Sequence, residues 1–114
     1  MRGFQKAINQ IFNNDILMPK SIDLNNYHFF SPISAVIPPN SELKVDTGIK
    51  VIFPNTESLI FKRDNHLILD HKIEPNKNHI NNEFDAILTL VNNLDREVVV
   101  NKGDFLCQAM FEKV

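Results

Sequence analysis

The stretch VIPPNSELKVDTGIKVIFP, residues 36–54, decides the architecture. Pro38 and Pro39 exclude a helix at this point, because proline has no N–H to donate and pushes the preceding residue into the extended region. Beyond them Leu43 and Val45 alternate with Glu42 and Lys44, the two-residue period of a strand with one buried face. Gly48 reads as a bulge or turn within the run, and Pro54 closes it.

Working outward, the same grammar repeats. HFFSPISAVIPP precedes the stretch, and SLIFKR, HLILDHKI, FDAILTLVNN, REVVVNK and FLCQAMFEKV follow it, separated by polar or glycine-containing turns. Many short strands at this spacing predict an all-β sandwich or barrel. In the last run Phe105, Cys107, Ala109 and Phe111 fall on one face and Leu106, Gln108 and Met110 on the other. Apolar groups on both faces predict a second buried surface, either within the monomer or against a neighbouring subunit.

The amino terminus has a different period. Phe4, Ile8, Ile11 and Phe12 recur at helical spacing with Gln5, Lys6, Asn9 and Gln10 between them, which predicts a short amphipathic helix over residues 3–13, ended by Asn13, Asn14 and Asp15. Residues 1–15 would then form a helical appendage to a β domain over residues 16–114. A helix this short needs a docking surface, on the body of the protein or on a protein partner.

Composition narrows the function. A chain of 114 residues supports one domain with a modest core. A net charge of -2 gives no bulk attraction to nucleic acid. No apolar run approaches 18 residues and MRGFQKAINQ has no signal-peptide core, so neither a membrane span nor export is expected; a cytoplasmic location, or synthesis in a host cytoplasm, is. The single Cys107 excludes an internal disulfide and shares its face with phenylalanines, as inert packing would. His28, His66, His71 and His79 never fall at metal-ligand spacing, so no zinc site is expected.

The order of the longer blocks carries more. VIPPNSELKVDTGIKVIFP, a charged segment with Lys62 and Arg63, HINNEFDAILTLV and VVVNKGDFLCQAMFEKV together resemble the trimeric deoxyuridine triphosphatase (dUTPase) superfamily, which includes the dCTP deaminases. The first block resembles its proline-proline turn and threonine-glycine-isoleucine element. The last resembles its lysine-glycine-aspartate ending, here Lys102, Gly103 and Asp104, then Cys107, Gln108 and Ala109. Over residues 16–114 the resemblance implies a distorted jelly-roll or β-clip barrel, a homotrimer, magnesium as cofactor and a pyrimidine deoxynucleotide as ligand, in a protein of viral or phage type.

Residue by residue, the resemblance assigns Asp23 of SIDLNN to the aspartate that helps hold magnesium and its waters. Arg63 of KRDNHL is what remains of a phosphate loop, with Asp64 where a hydroxyl should receive phosphate; a carboxylate there repels a triphosphate. In HINNEF, Ile80 and the ring of Phe84 are kept, and Asn78 stands for a glycine. Glu83 keeps an acidic place, while Asn81 occupies that of the water-activating aspartate. An amide is no base, and losing a general base costs about 10²- to 10⁴-fold in rate. Val114 follows the last strand directly, where active relatives add a glycine-rich tail. The nucleotide-binding candidates are thus Arg63, Asn78, Ile80, Phe84 and Gln108, and the weak catalytic candidates Asp23, Asn81 and Glu83.

These features favour a dUTPase-like pseudoenzyme that binds a protein partner or a nucleotide without hydrolysing it. A divergent dUTP diphosphatase remains open, with Glu83 or Asp85 as displaced base, as does a trimeric viral structural component anchored through its amino terminus. Each residue also has a plain structural reading: Asp23 in a turn, Arg63 a solvated or interface charge, Gln108 bonded to a neighbouring strand, Asn81 to Glu83 a bare hairpin, Phe84 in the core.

Overall fold

The computed structural model describes residues 2–7 and 16–114. Ten strands form in chain order: β1 (Gly3–Lys6), β2 (Lys20–Ser21), β3 (Asn26–Phe30), β4 (Ala35–Ile37), β5 (Ser41–Pro54), β6 (Glu57–Arg63), β7 (Leu67–Ile73), β8 (Asn81–Asn92), β9 (Val98–Val100) and β10 (Phe105–Lys113). Eight of them make one sheet in the order β1-β5-β8-β7-β6-β10-β3-β2, with neighbours antiparallel, and β4 pairs with β9 in a small second sheet. The all-β jelly-roll expectation holds. No helix among the described residues is long and apolar enough to cross a membrane.

The sheet curls until its ends meet. Phe4, on the strand at one end of the order, packs edge-on against Tyr27 and Phe29 of β3 near the other end, with ring centroids 4.7 and 5.6 Å away. Arg2 strengthens this seam with an ion pair to the buried Glu57 at 3.2 Å, and its guanidinium lies 5.1 Å from the Phe111 ring. Inside the curl, Phe29, Phe53, Phe61, Leu59, Leu88, Leu90 and Leu106 are fully enclosed. Strand alternation explains them: on β8 Asn82, Ala86, Leu88, Leu90 and Asn92 point inward and Asn81, Glu83, Asp85 and Ile87 point outward.

Gly48 forms the expected bulge. Four steps of β5, from Asp46 to Lys50, oppose two steps of β8, from Ile87 to Asp85, so the inward phase survives. The residue sits at φ +69°, and a Cβ there would lie 2.6 Å from Cγ1 of Ile16, so both conformation and space demand glycine.

Two expectations are corrected. Residues 3–6 are strand, not helix: Gly3 to Lys6 pair with Ile52 to Ile49 of β5, and the gain of a complete ladder plus an aromatic nest for Phe4 outweighs the local helical period. The β domain therefore includes β1; Ala7 follows it with its N–H donating to the Gly48 carbonyl at 2.7 Å, and residues 8–13 of the proposed helix, with Ile8, Ile11 and Phe12, lie outside the described residues. The last strand also departs from simple alternation. An extra residue between Phe105 and Cys107, against one step from Phe30 to Phe29, makes a second bulge. It turns Leu106 and Cys107 both inward and leaves Phe105 39% exposed on the outer face.

Candidate functional site

The outer face of β6 and β10, with the loop after β6, carries a groove of about 310 Å³, lined by Ile60, Lys62, Arg63, Asp64, Asn65, Phe105, Gln108 and Met110. It exists because antiparallel register puts alternate residues in rows: Gln108 lies between Lys62 and His28, and Met110 between Ile60 and Asn26. The β10 bulge supplies the Phe105 ring, whose centroid is 4.8 Å from that of His28 in an edge contact. Two of the stretches singled out in the sequence, KRDNHL and the KGD ending, thus come together here.

Arg63 is committed within the protein. Its Nη1 donates to the carbonyl oxygens of Phe105 and Leu106, and its guanidinium lies 5.7 Å from the Phe105 ring. Nε is buried without a partner among the described residues. Burial pulls the Arg63 pKa down, opposed by the nearby Cys107 and Asp104. Asn65 closes the loop at φ +80°, a conformation asparagine adopts more readily than most residues. Cys107, behind the groove, is fully enclosed, and burial pushes its thiol up to about 12 despite Arg63.

Asp23 occupies the turn between β2 and β3. Its Oδ1 accepts from the backbone N–H groups of Asn25 and Asn26 at 2.9 and 3.0 Å, and the Asn26 amide donates to Oδ1 and Oδ2 at 2.8 and 2.9 Å. These bonds, the one from Asn25 foremost, hold its carboxyl below the ordinary aspartate range. Asn26 Oδ1 in turn accepts from Gln108 Nε2 at 2.8 Å, tying the turn to the groove. Both oxygens are engaged, and no group of three or more His, Cys, Asp or Glu able to hold a metal occurs among the described residues, so Asp23 finds no protein co-ligands for a magnesium ion among them.

The HINNEF residues lie elsewhere. Asn81 stands opposite Pro54, and Asn55 N–H donates to the Ile80 carbonyl at 3.0 Å, which places both at the Glu57 end of β6, about 20 Å of strand from Arg63. Ile80 is 83% exposed. Asn81 is exposed, and Glu83 faces Lys50 at 3.8 Å. Phe84 points inward and stacks on Phe53 with centroids 5.5 Å apart. Asn78 N–H donates to Asn76 Oδ1 at 3.0 Å within the loop before β8. One protomer therefore gathers Arg63, Gln108 and, through Asn26, Asp23, and keeps Asn78, Ile80, Asn81, Glu83 and Phe84 apart.

Asn26 and Asn92 had no part in the sequence reading, and Asn82 entered it only within a bare hairpin. Asn82 is buried, with Oδ1 accepting from Asn76 N–H at 2.8 Å and Nδ2 without a partner among the described residues. Asn92 is fully buried and donates to the carbonyls of Ile37, Pro38 and Arg96 while accepting from Leu94 N–H, which fixes the β8–β9 turn under β4. The period-two phase of FDAILTLVNN, carried back to Asn82, marks both as inward. Asn26 gave no such signal, because its role depends on a register only the fold sets.

No protein-family model and no curated protein matches the sequence. Solved structures do. A variant of the dUTPase from phage phi11 of S. aureus, from work on coordination of a structural Mg(II) ion, superposes with a TM-score of 0.79 at 14% identity over 100% of this chain and 91% of that one. The dUTPase of Staphylococcus bacteriophage 80alpha with dUPNHPP gives 0.76 at 13% identity over 100% and 83%. The 80alpha enzyme, described as controlling transfer of virulence genes by a proto-oncogenic G protein-like mechanism, gives 0.73 at 13% over 100% and 90% in a further structure. In fold, this chain is a dUTPase-like jelly roll.

Proposed function

We propose that this chain is a non-hydrolysing member of the dUTPase fold that assembles as a homotrimer and acts by binding through the groove on β6 and β10. The observation that carries the reading is the side chain at position 81: an exposed amide stands where the resemblance puts the water-activating carboxylate. Its outward-facing neighbour Glu83 is turned to Lys50. Without a base the attacking water keeps its proton. The phosphate side points the same way, because Arg63 turns Nη1 to the Phe105 and Leu106 carbonyls and Asp64 lines the groove. A trimer would bring one protomer's Ile80 and Asn81 edge to another's Arg63 and Gln108. The virulence-gene control described for the 80alpha dUTPase is a precedent for a regulatory role on this fold.

A divergent diphosphatase is the second reading, favoured by Glu83 and Asp85, which share the outward face of Asn81. Pyrophosphate release from dUTP and dCTP with magnesium, alongside calorimetry for binding, separates the two. No release is expected; turnover at about 1 s⁻¹ or faster overturns the proposal and moves the base to Glu83 or Asp85.

A further inference from the structure

The hydrogen bonds from Asp23 through Asn26 to Gln108 have a direction. A carboxylate only accepts, so the Asn26 amide must turn its NH₂ to Asp23 and its oxygen away. That oxygen can only be met by a donor, so Gln108 must turn its own NH₂ to Asn26. Gln108 Oε1 is then the atom left for the groove, and no donor among the described residues is bonded to it. We propose that Asp23 acts through Asn26 as a specificity-determining residue, fixing Gln108 so that the groove offers a hydrogen-bond acceptor and selects a ligand group bearing an N–H donor over phosphate. This rests on the binding function assigned above to the groove.

The surroundings agree with such a ligand. Ile60, Met110 and the exposed Phe105 ring give the acceptor apolar flanks that suit a neutral amide or imide. The cations are partly engaged elsewhere: Arg63 turns Nη1 to two backbone carbonyls, Lys62 stands opposite Asp70 of β7 in register, and Asp64 adds a negative charge to the lining. An acceptor oxygen facing a phosphate oxygen would leave both lone pairs unmatched, at a cost comparable to a lost hydrogen bond.

Asp23→Asn tests the relay because it changes the sense of the chain with little change of shape. Its remaining oxygen would keep the Asn25 and Asn26 backbone donors, its new NH₂ would demand the Asn26 oxygen, and Gln108 would reverse. Asn26→Ala cuts the relay without altering charge. The readout is the Gln108 side-chain amide in ¹⁵N–¹H spectra, first free and then titrated with N-acetylphenylalaninamide, thymidine or inorganic tripolyphosphate.

In the wild type the donor probes are expected to shift the Gln108 amide and tripolyphosphate to leave it unmoved; which donor probe shifts it at lower concentration tells a protein amide from a nucleobase as the source. In Asp23→Asn the order reverses, with tripolyphosphate at least about tenfold tighter. In Asn26→Ala the preference disappears. A Gln108 amide unchanged by Asp23→Asn, donor probes silent at tens of millimolar, or tripolyphosphate favoured by the wild type would each overturn the inference. Because this readout is independent of turnover, it fails separately from the non-hydrolytic reading.

Discussion

Arg63 on β6 donates to the carbonyls of Phe105 and Leu106, the two residues at which β10 bulges. The guanidinium satisfies two backbone carbonyls at the bulge while lying over the ring that the bulge expels. Arg63→Ala should therefore destabilise the protein by about 2 kcal/mol, since hydrogen bonds from a charged donor contribute about 1.5 to 3 kcal/mol before solvent screening. Urea denaturation measures this. Arg63→Lys should recover less than half, because an ammonium cannot reproduce the forked guanidinium geometry.

Gly48→Ala meets two obstacles, the positive φ and the Ile16 side chain. A loss of about 2 to 4 kcal/mol is expected by the same measurement. Adding Ile16→Ala removes the steric part and leaves the backbone part, so the double variant should be less destabilised than the two single losses summed.

Phe4 is half-buried against Tyr27, Phe29 and Phe111. Phe4→Ala should lower stability by about 2 to 3 kcal/mol, below the usual range for a fully enclosed phenylalanine. A melting temperature equal to wild type would mean that β1 does not close the sheet in solution.

Alkaline stability should follow Cys107. Its thiol titrates near 9.0 when unfolded and at about 12 in the fold, because burial disfavours the thiolate. Between these values the unfolded state has lost the proton and the native state keeps it, so stability is full below the lower value and falls as pH rises, by up to about 1.4 kcal/mol per pH unit. Cys107→Ala should flatten that part of the curve while losing some packing. Iodoacetamide at pH 8 should label the wild type only after denaturation.

Asn81→Asp should not restore hydrolysis of dUTP. It returns a carboxylate to the β8 edge, but Asp64 still lines the groove and Arg63 remains bound to β10. Groups that act as one catalytic unit do not contribute additively. Release of pyrophosphate within 10²-fold of about 1 s⁻¹ would place the whole loss at position 81. Sedimentation of the wild type should give a mass near three protomers, as the proposed homotrimer requires.

Much of the fold was legible because β5 alternates on either side of Gly48 between Pro39 and Pro54, and Gly48 announced its bulge. Phe4 misled, since a four-residue spacing carries no information about the β5 edge that captures it. The β10 bulge was invisible because Leu106, Cys107 and Phe105 are all apolar and either phase looks sound. At the site, Arg63 and Gln108 could be chosen from the sequence, but their present partners are backbone carbonyls and Asn26, which only register brings into reach. Phe84 followed its plain reading as core, and Asp23 its reading as a turn.

The seam formed by Phe4 also governs how the chain can reach this shape. Its ring needs Tyr27, Phe29 and Phe111 at once, and β1 needs β5, so no early segment of the chain gains this stabilisation alone. Closure must wait for the last strand to find β3 and β6, which makes folding a slow, all-or-none event dominated by distant pairings, on the millisecond-to-second scale of β barrels. Until then the β5 edge stands open, and a newly made chain is most prone to pair with the wrong neighbour in that interval.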